Sequence, residues 1–294
     1  MEVLIVDYKL FDYEIEFLKK EITSFGGKVI GDIKRNSTVI VSGLSVQNAQ
    51  QLTYIKGVYG NGKFYSSHQY IREHLNNGKR VQSKRYGPHS LHEFKGRYNP
   101  QMPRSLLLVN FFDKSKLILD PFMGSGTTVV EARGLHIKSI GLELNSFAYL
   151  IAKAKKFYEE VKFIPNVKLS RKKTSKVFSQ DQESYLEKWF PKTQLNDLEN
   201  ILDSIENVPC SYKEKLILKI ILSNLLRDHS LQDPRDLRIR RRSFVPSGSN
   251  LSDDFLKMLS EHQIRHSDWI KTMGINETQM IVKAGDSTHL SNEI

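Results

Sequence analysis

One stretch constrains this chain more than any other: Lys116 to Thr128, reading Lys-Leu-Ile-Leu-Asp-Pro-Phe-Met-Gly-Ser-Gly-Thr-Thr. Leu117 to Asp120 have the apolar, β-compatible character of a buried parallel strand that ends on a carboxylate. Pro121 has no N–H with which to continue a ladder. Gly124 and Gly126 allow φ > 0 and close approach of the backbone to a ligand, and Thr127 reads as the N-cap of a helix beginning Thr128-Val-Val-Glu-Ala-Arg. Strand, glycine turn and helix, in that order, is how open α/β sheets bind nucleotide-like ligands. A second strand, Ser139-Ile-Gly-Leu, ends on Glu143. That acid lies about 20 residues beyond the first glycines, the spacing at which such sheets hold a pair of ribose hydroxyls. No Gly-Lys-Ser/Thr follows the turn, so it is not a P-loop, and its glycine spacing is not the dinucleotide fingerprint.

From Asp120 through Pro121, Phe122, Gly124, Ser125, Gly126, Thr127 and Thr128 the stretch resembles the S-adenosylmethionine (AdoMet) motif of amino-group DNA methyltransferases, Asp-Pro-Phe-x-Gly-Ser-Gly-Thr-Thr. Gly-Leu-Glu-Leu-Asn, with Glu143, Leu144 and Asn145, is similar to the family's second motif. Leu91 to Arg104, containing Lys95, Gly96, Arg97 and Pro100, is similar to the segment that precedes the AdoMet loop in a group of these enzymes and closes over the methionine end of the cofactor. Gln279-Met-Ile-Val-Lys-Ala-Gly-Asp-Ser resembles the third motif, whose acid, here Asp286 followed by Ser287, reaches the adenine amino group. The resemblance implies a Rossmann-like class I methyltransferase half-sheet with AdoMet as cofactor. It implies an α/β fold divided into an N-terminal α/β module at 1–84, an AdoMet-binding segment at 85–165, a helical insertion with a basic patch at 166–277, and a third strand at 278–294.

A chain of 294 residues can bury a sizeable core, and its formal net charge of +11 points to a polyanionic partner. The single cysteine, Cys210, excludes an internal disulfide framework and a cysteine zinc site, and it suits a reducing cytoplasm. The histidines lack metal-ligand spacing, so no metal is expected. No apolar run approaches the roughly 18 residues of a membrane span, so no membrane contact is expected either.

In chain order, Val3 to Val6 and Thr38 to Val41 read as strands, Glu14 to Phe25 as an amphipathic helix, and Val46 to Ile55 and Ser66 to Leu75 as two further helices. This module serves packing and docking, or it contacts nucleic acid. Between Lys79 and Tyr98 basic residues alternate with aromatic ones, a pattern suited to phosphates and stacked rings. Phe147 to Glu160 has Ala148, Ile151, Ala152 and Lys155 at helical spacing. The basic stretch from Lys168 to Lys176 reads as a solvated linker. Residues 181 to about 228 read as a helical pair, and Ser252 to Leu259 and His262 to Met273 as two more helices. Arg235, Arg238, Arg240, Arg241 and Arg242 form the densest positive patch; DNA backbone contact and a solvated face are both open for it.

The family's catalytic loop, (Asp/Asn/Ser)-Pro-Pro-(Tyr/Phe/Trp), has no counterpart among the 294 residues, which contain no Pro-Pro. Asn99-Pro100-Gln101-Met102 lacks the second proline and the aromatic, and Pro209-Cys210 is misplaced for cytosine-C5 chemistry. The expectation is therefore an AdoMet-binding subunit acting on DNA, with no catalytic residue of its own. A second protein subunit would supply the Pro-Pro-aromatic loop and the remaining strands, which pair the otherwise open side of Leu117 to Asp120. The alternatives are a tRNA guanine-N2-like RNA methyltransferase and a non-catalytic DNA-binding or regulatory subunit.

Overall fold

The computed structural model describes residues 1–75, 85–110, 116–170, 176–233, 240–245 and 250–289. The first elements are β1 (Glu2–Ile5), α1 (Asp12–Ser24), β2 (Lys28–Ile30), β3 (Thr38–Ser42), α2 (Val46–Gln51), β4 (Ile55–Gly60), β5 (Lys63–Ser66) and α3 (His68–His74). Their five strands form an antiparallel sheet of order β2-β3-β1-β4-β5. Alternation along the strands sends Val3, Ile5, Val39, Val41 and Val58 into a core shared with Leu18 and Ile22 of α1, while Ile40, Tyr59 and Phe64 stay exposed. The expected helix from Val46 to Ile55 is cut short at Gln51. Ile55 opens a hairpin instead, turned by Asn61 (φ 50°) and Gly62 (φ 72°) and pairing Gly60 with Lys63. A two-residue Asn-Gly loop matches the twist of the strands on either side, and that outweighs the short apolar run.

Then come α4 (Gln101–Asn110), β6 (Leu117–Asp120), α5 (Thr127–Gly134), β7 (Lys138–Glu143) and α6 (Ser146–Tyr158). They are followed by α7 (Gln180–Leu186), α8 (Lys192–Asn207), α9 (Tyr212–Ser223), α10 (Leu251–Met273) and β8 (Met280–Ala284). The second sheet is parallel, with order β6-β7-β8; Asp120 lies opposite Gly141 and Glu143 opposite Ala284. Three helices, α7 to α9, occupy the region expected to hold a pair. The two helices expected between Ser252 and Met273 are one continuous α10, because nothing at Ser260-Glu261 breaks the backbone ladder. Ile151 and Tyr158 of α6, Ile201 of α8, Ile217 and Ile221 of α9, and Phe255 and Trp269 of α10 share one core. No described helix is long and apolar enough to cross a membrane.

A buried polar seam joins the two sheets. Arg72 of α3 grips Glu131 of α5 bidentately, Nη1 to Oε2 at 2.6 Å and Nη2 to Oε1 at 3.0 Å. Oε1 also accepts from the Tyr86 hydroxyl at 3.0 Å and faces His89 Nε2 at 2.8 Å. The guanidinium lies over the rings of Tyr86 and Trp269. Burial opposes the charge on Glu131, but Arg72, His89 and Arg104 hold its carboxyl well below the ordinary range. Burial pushes His89 down to about 4, so its ring is neutral and donates through Nε2. Beside this pair Glu73 accepts from Gln69 at 2.8 Å and Gln101 at 2.9 Å, and Glu21 of α1 accepts from the Thr53 amide and the Ser105 hydroxyl.

Arg72→Met leaves the Glu131 carboxylate buried without its main counter-charge. It should cost about 3–5 kcal/mol of stability, read as a fall in the urea midpoint. Adding Glu131→Gln in the same chain should recover part of that loss; strictly additive costs would show that the two side chains are not coupled.

Candidate functional site

The site is built at the carboxyl ends of β6, β7 and β8, the crevice where open parallel sheets take ligands. β6 stops at Asp120, whose Oδ1 accepts from the Phe122 amide at 3.1 Å, and the Met123 amide returns to the Leu142 carbonyl at 3.0 Å. The turn then climbs through Gly124 (φ 55°) to Gly126 (φ 81°), whose amide closes on the Met123 carbonyl at 2.8 Å. Gly126, not Thr127, is the N-cap of α5. An N-cap threonine needs extended backbone, whereas the cap position here is left-handed and belongs to glycine; Thr127 becomes the first, buried helical residue. A Cβ on Gly126 would also stand 2.9 Å from the Cβ of Ala152 on α6, whereas Gly124 faces open space.

Glu143, at the tip of β7, is oriented before any ligand arrives. The Gly124 amide donates to its Oε2 at 2.8 Å and the Asn145 amide to its Oε1 at 2.7 Å. Each carboxylate oxygen has a second lone-pair direction, so the group can still accept from two further donors. Asn145 itself caps α6, its Oδ1 accepting from Phe147 and Ala148 at 3.0 Å each, and Leu144 is exposed. The Gly285 amide donates to the Glu143 carbonyl at 3.1 Å, which brings the segment after β8 to the same rim. There Asp286 is partly exposed; bonds from the Thr288 amide and hydroxyl hold its carboxyl below the ordinary range, and Ser287 starts a short 3₁₀ turn. Asp120 with the glycine turn, Glu143 and Asp286 thus come from three separated stretches to one edge. Among the described residues no group of three or more side chains could hold a metal ion.

The family model for N6/N4 DNA methylases, described as DNA methylase, matches residues 34–154. Among curated proteins, the type II methyltransferase M.MjaII of Methanocaldococcus jannaschii is 30% identical over 138 residues, which is 44% of this chain and 26% of that protein. The type II methyltransferase M.BsoBI of Geobacillus stearothermophilus is 28% identical over 169 residues, 53% of this chain and 32% of that protein. Over residues 34–154 the chain is similar to the amino-group DNA methyltransferases. Its matches span about a quarter to a third of the length of these two relatives.

Other expected site residues lie elsewhere or serve other ends. Arg97 donates to the His89 carbonyl at 2.7 Å, Lys95 and Gly96 are exposed, and Pro100 is buried ahead of α4. Arg235 and Arg238 lie outside the described residues. Arg242 turns inward, Nε to the Ser230 carbonyl at 3.1 Å and Nη2 to the same oxygen at 2.8 Å, while Arg240 and Arg241 are exposed. Beside Asp120 and Thr128 the side of β6 that no described strand pairs opens onto a groove of about 630 Å³ lined by Tyr98, Met102, Leu106, Leu117 and Leu119. The sequence reading missed Lys155 as a site residue. Its signal was present, a lysine on the apolar stripe of α6, and its ammonium lies directly beneath the glycine turn.

Gly126→Ala should destabilise the protein by about 1–2 kcal/mol, since the left-handed backbone and the contact with Ala152 both penalise a Cβ. An unchanged melting temperature would show that the turn relaxes freely.

Proposed function

We propose that the chain is the AdoMet-binding subunit of a heteromeric DNA methyltransferase that methylates an exocyclic amino group of adenine or cytosine. The observation that carries this reading is Glu143, fixed by two backbone amides between the glycine turn and Asp286. A carboxylate so held accepts from both ribose hydroxyls. Asp286 accepts from the adenine amino group, and the turn, left open at Gly124, lets backbone approach the amino-acid end. Bound AdoMet supplies the electrophilic methyl group. The residues of 85–104 cover the amino-acid end, the segment 166–277 carries the DNA contacts, and 1–84 forms the docking module.

The open side of β6 supports the partner. Leu117 and Leu119 are 52% and 42% exposed on a strand that, among the described residues, is paired on one side only, and Tyr98 and Leu106 of the adjoining groove are 66% and 43% exposed. An unpaired strand edge beside exposed apolar side chains is a pairing site. Further parallel strands seated there bring a Pro-Pro-aromatic loop beside the methyl group, where the loop's carbonyl and side chain accept from the extruded base.

Labelled methyl transfer to duplex DNA tests the reading, with tRNA as the competing substrate. Activity should require the second subunit; robust DNA methylation by the purified 294-residue chain alone would sink the split arrangement, and preference for tRNA would sink the DNA assignment. Glu143→Ala should weaken AdoMet binding at least tenfold, because hydrogen bonds to a charged acceptor are worth about 1.5–3 kcal/mol each. Unchanged calorimetric affinity would remove Glu143 from the site. Replacing Arg240 and Arg241 should lower the log–log salt slope of DNA binding by about 0.9 for each phosphate left without its counter-charge. An unaltered slope would return both arginines to the solvent.

A further inference from the structure

Lys155 is fully buried on α6, at 0% exposure. Its Nζ donates to the Ser125 carbonyl at 2.8 Å and approaches the Ser125 hydroxyl at 3.3 Å. No ion pair to it is seen among the described residues, which is unusual, because a buried ammonium without a carboxylate partner carries a large desolvation cost. One helical turn earlier Ala152 supports Gly126, so α6 presents two residues to the underside of the glycine turn and one of them is charged. The other groups facing Lys155 do not neutralise it. His89 and His92, on the segment before α4, are held neutral by burial; Arg97 repels it; and Glu131 attracts it but is already committed to Arg72.

We propose that Lys155 is a positioning residue of the cofactor turn, holding Ser125 from below and keeping a buried positive charge under the amino-acid end of the bound cofactor. The inference rests on the AdoMet reading. Apart from the Val130 amide of α5, which donates to the Gly126 carbonyl, the Lys155 ammonium at the Ser125 carbonyl is the hydrogen-bonded anchor that reaches the turn from outside β6, β7 and the turn itself among the described contacts. Without a ligand, burial and then Arg97 push the lysine down to about 7, with Glu131 in opposition. A carboxylate arriving on the turn favours the ammonium and raises that value. Above neutrality, ligand binding therefore draws a proton from solvent on to Nζ, whereas in more acid solution the group is already charged and no proton moves. A nucleoside that lacks the carboxylate leaves the titration where it was.

The test is calorimetry of S-adenosylhomocysteine and of 5′-methylthioadenosine, which lacks the amino-acid end, in buffers of different ionisation enthalpy. For the intact chain, proton uptake with S-adenosylhomocysteine should rise from near zero at about pH 6 towards about one at about pH 8, and stay near zero with methylthioadenosine. Lys155→Gln keeps a donor for the Ser125 carbonyl but no charge; it should lose the uptake and bind S-adenosylhomocysteine about tenfold more weakly. Persistent uptake or unchanged affinity in that variant would return Lys155 to a packing role. Tight binding by the intact chain with no uptake at any pH would overturn the inference and leave the cofactor reading standing. Failure of the intact chain to bind either nucleoside would overturn the cofactor reading itself. If Lys155→Gln does not fold, the contrast between the two nucleosides on the intact chain decides alone, because its midpoint near neutrality is the signature of the buried lysine.

Discussion

Glu131 is a carboxylate with no exposure at all, and the Arg72 guanidinium that neutralises it comes from α3, a helix of the module that holds the other sheet. A charge buried in this way is tolerated only if its partner is placed well and its remaining lone pairs are used. Here the placement is bidentate, and Tyr86 and His89 take up the rest. The pair therefore fixes where α3 stands against α5, and with it where the antiparallel sheet stands against the parallel one. Apolar surfaces can slide by a fraction of a side chain at little cost; a two-point ionic contact in a dry setting cannot. The seam is extended by Glu21, Glu73, Gln101 and Arg104, so the interface between the sheets is polar in its centre and apolar around it.

What the sequence made legible follows the same division. The glycine turn is visible because its backbone demands are local: a strand that ends, two glycines, a helix that starts. Glu143 and Asp286 are visible because spacing and motif place them at strand ends. Locally, Asn61-Gly62 was just as plain a hairpin signal, yet the apolar residues before it also fit a helix, and the period of so short a run does not decide between the two. Thr127 illustrates a subtler failure. Threonine is a better cap than glycine by preference, but the left-handed turn shifts the cap back by one residue, and a backbone angle is not written in side-chain propensity. The Arg72–Glu131 pair lay beyond reach altogether, because nothing links two charges 59 positions apart until the fold brings them together.

Exposed apolar side chains gather at the carboxyl ends of the parallel strands. Phe122 is 78% exposed and Leu144 73%, on either side of the strand ends. Scattered apolar side chains at a surface need no explanation, but these flank the crevice at the strand ends, and Leu117, Leu119 and Leu106 continue the same apolar rim along the side of β6 that no described strand pairs. A surface of this kind is stable against a partner and a liability without one.

The buried charges and the glycine turn are connected through α5 and α6. α5 begins at the turn and carries Glu131 one helical turn later, so the Arg72 pair anchors the helix whose first residues shape the site. α6 carries Ala152 against Gly126 and Lys155 against Ser125, so the same turn is held from its other side. Held between the two helices, the turn has little freedom left to lose when a ligand arrives, and the ordering cost of binding falls by what folding has already met. Two glycines make the turn possible, and glycine is the residue that would otherwise keep most of its freedom. Rigid neighbours are therefore a requirement of a glycine-built site, which gives a physical reason for the fold to retain two expensive buried charges so close to it.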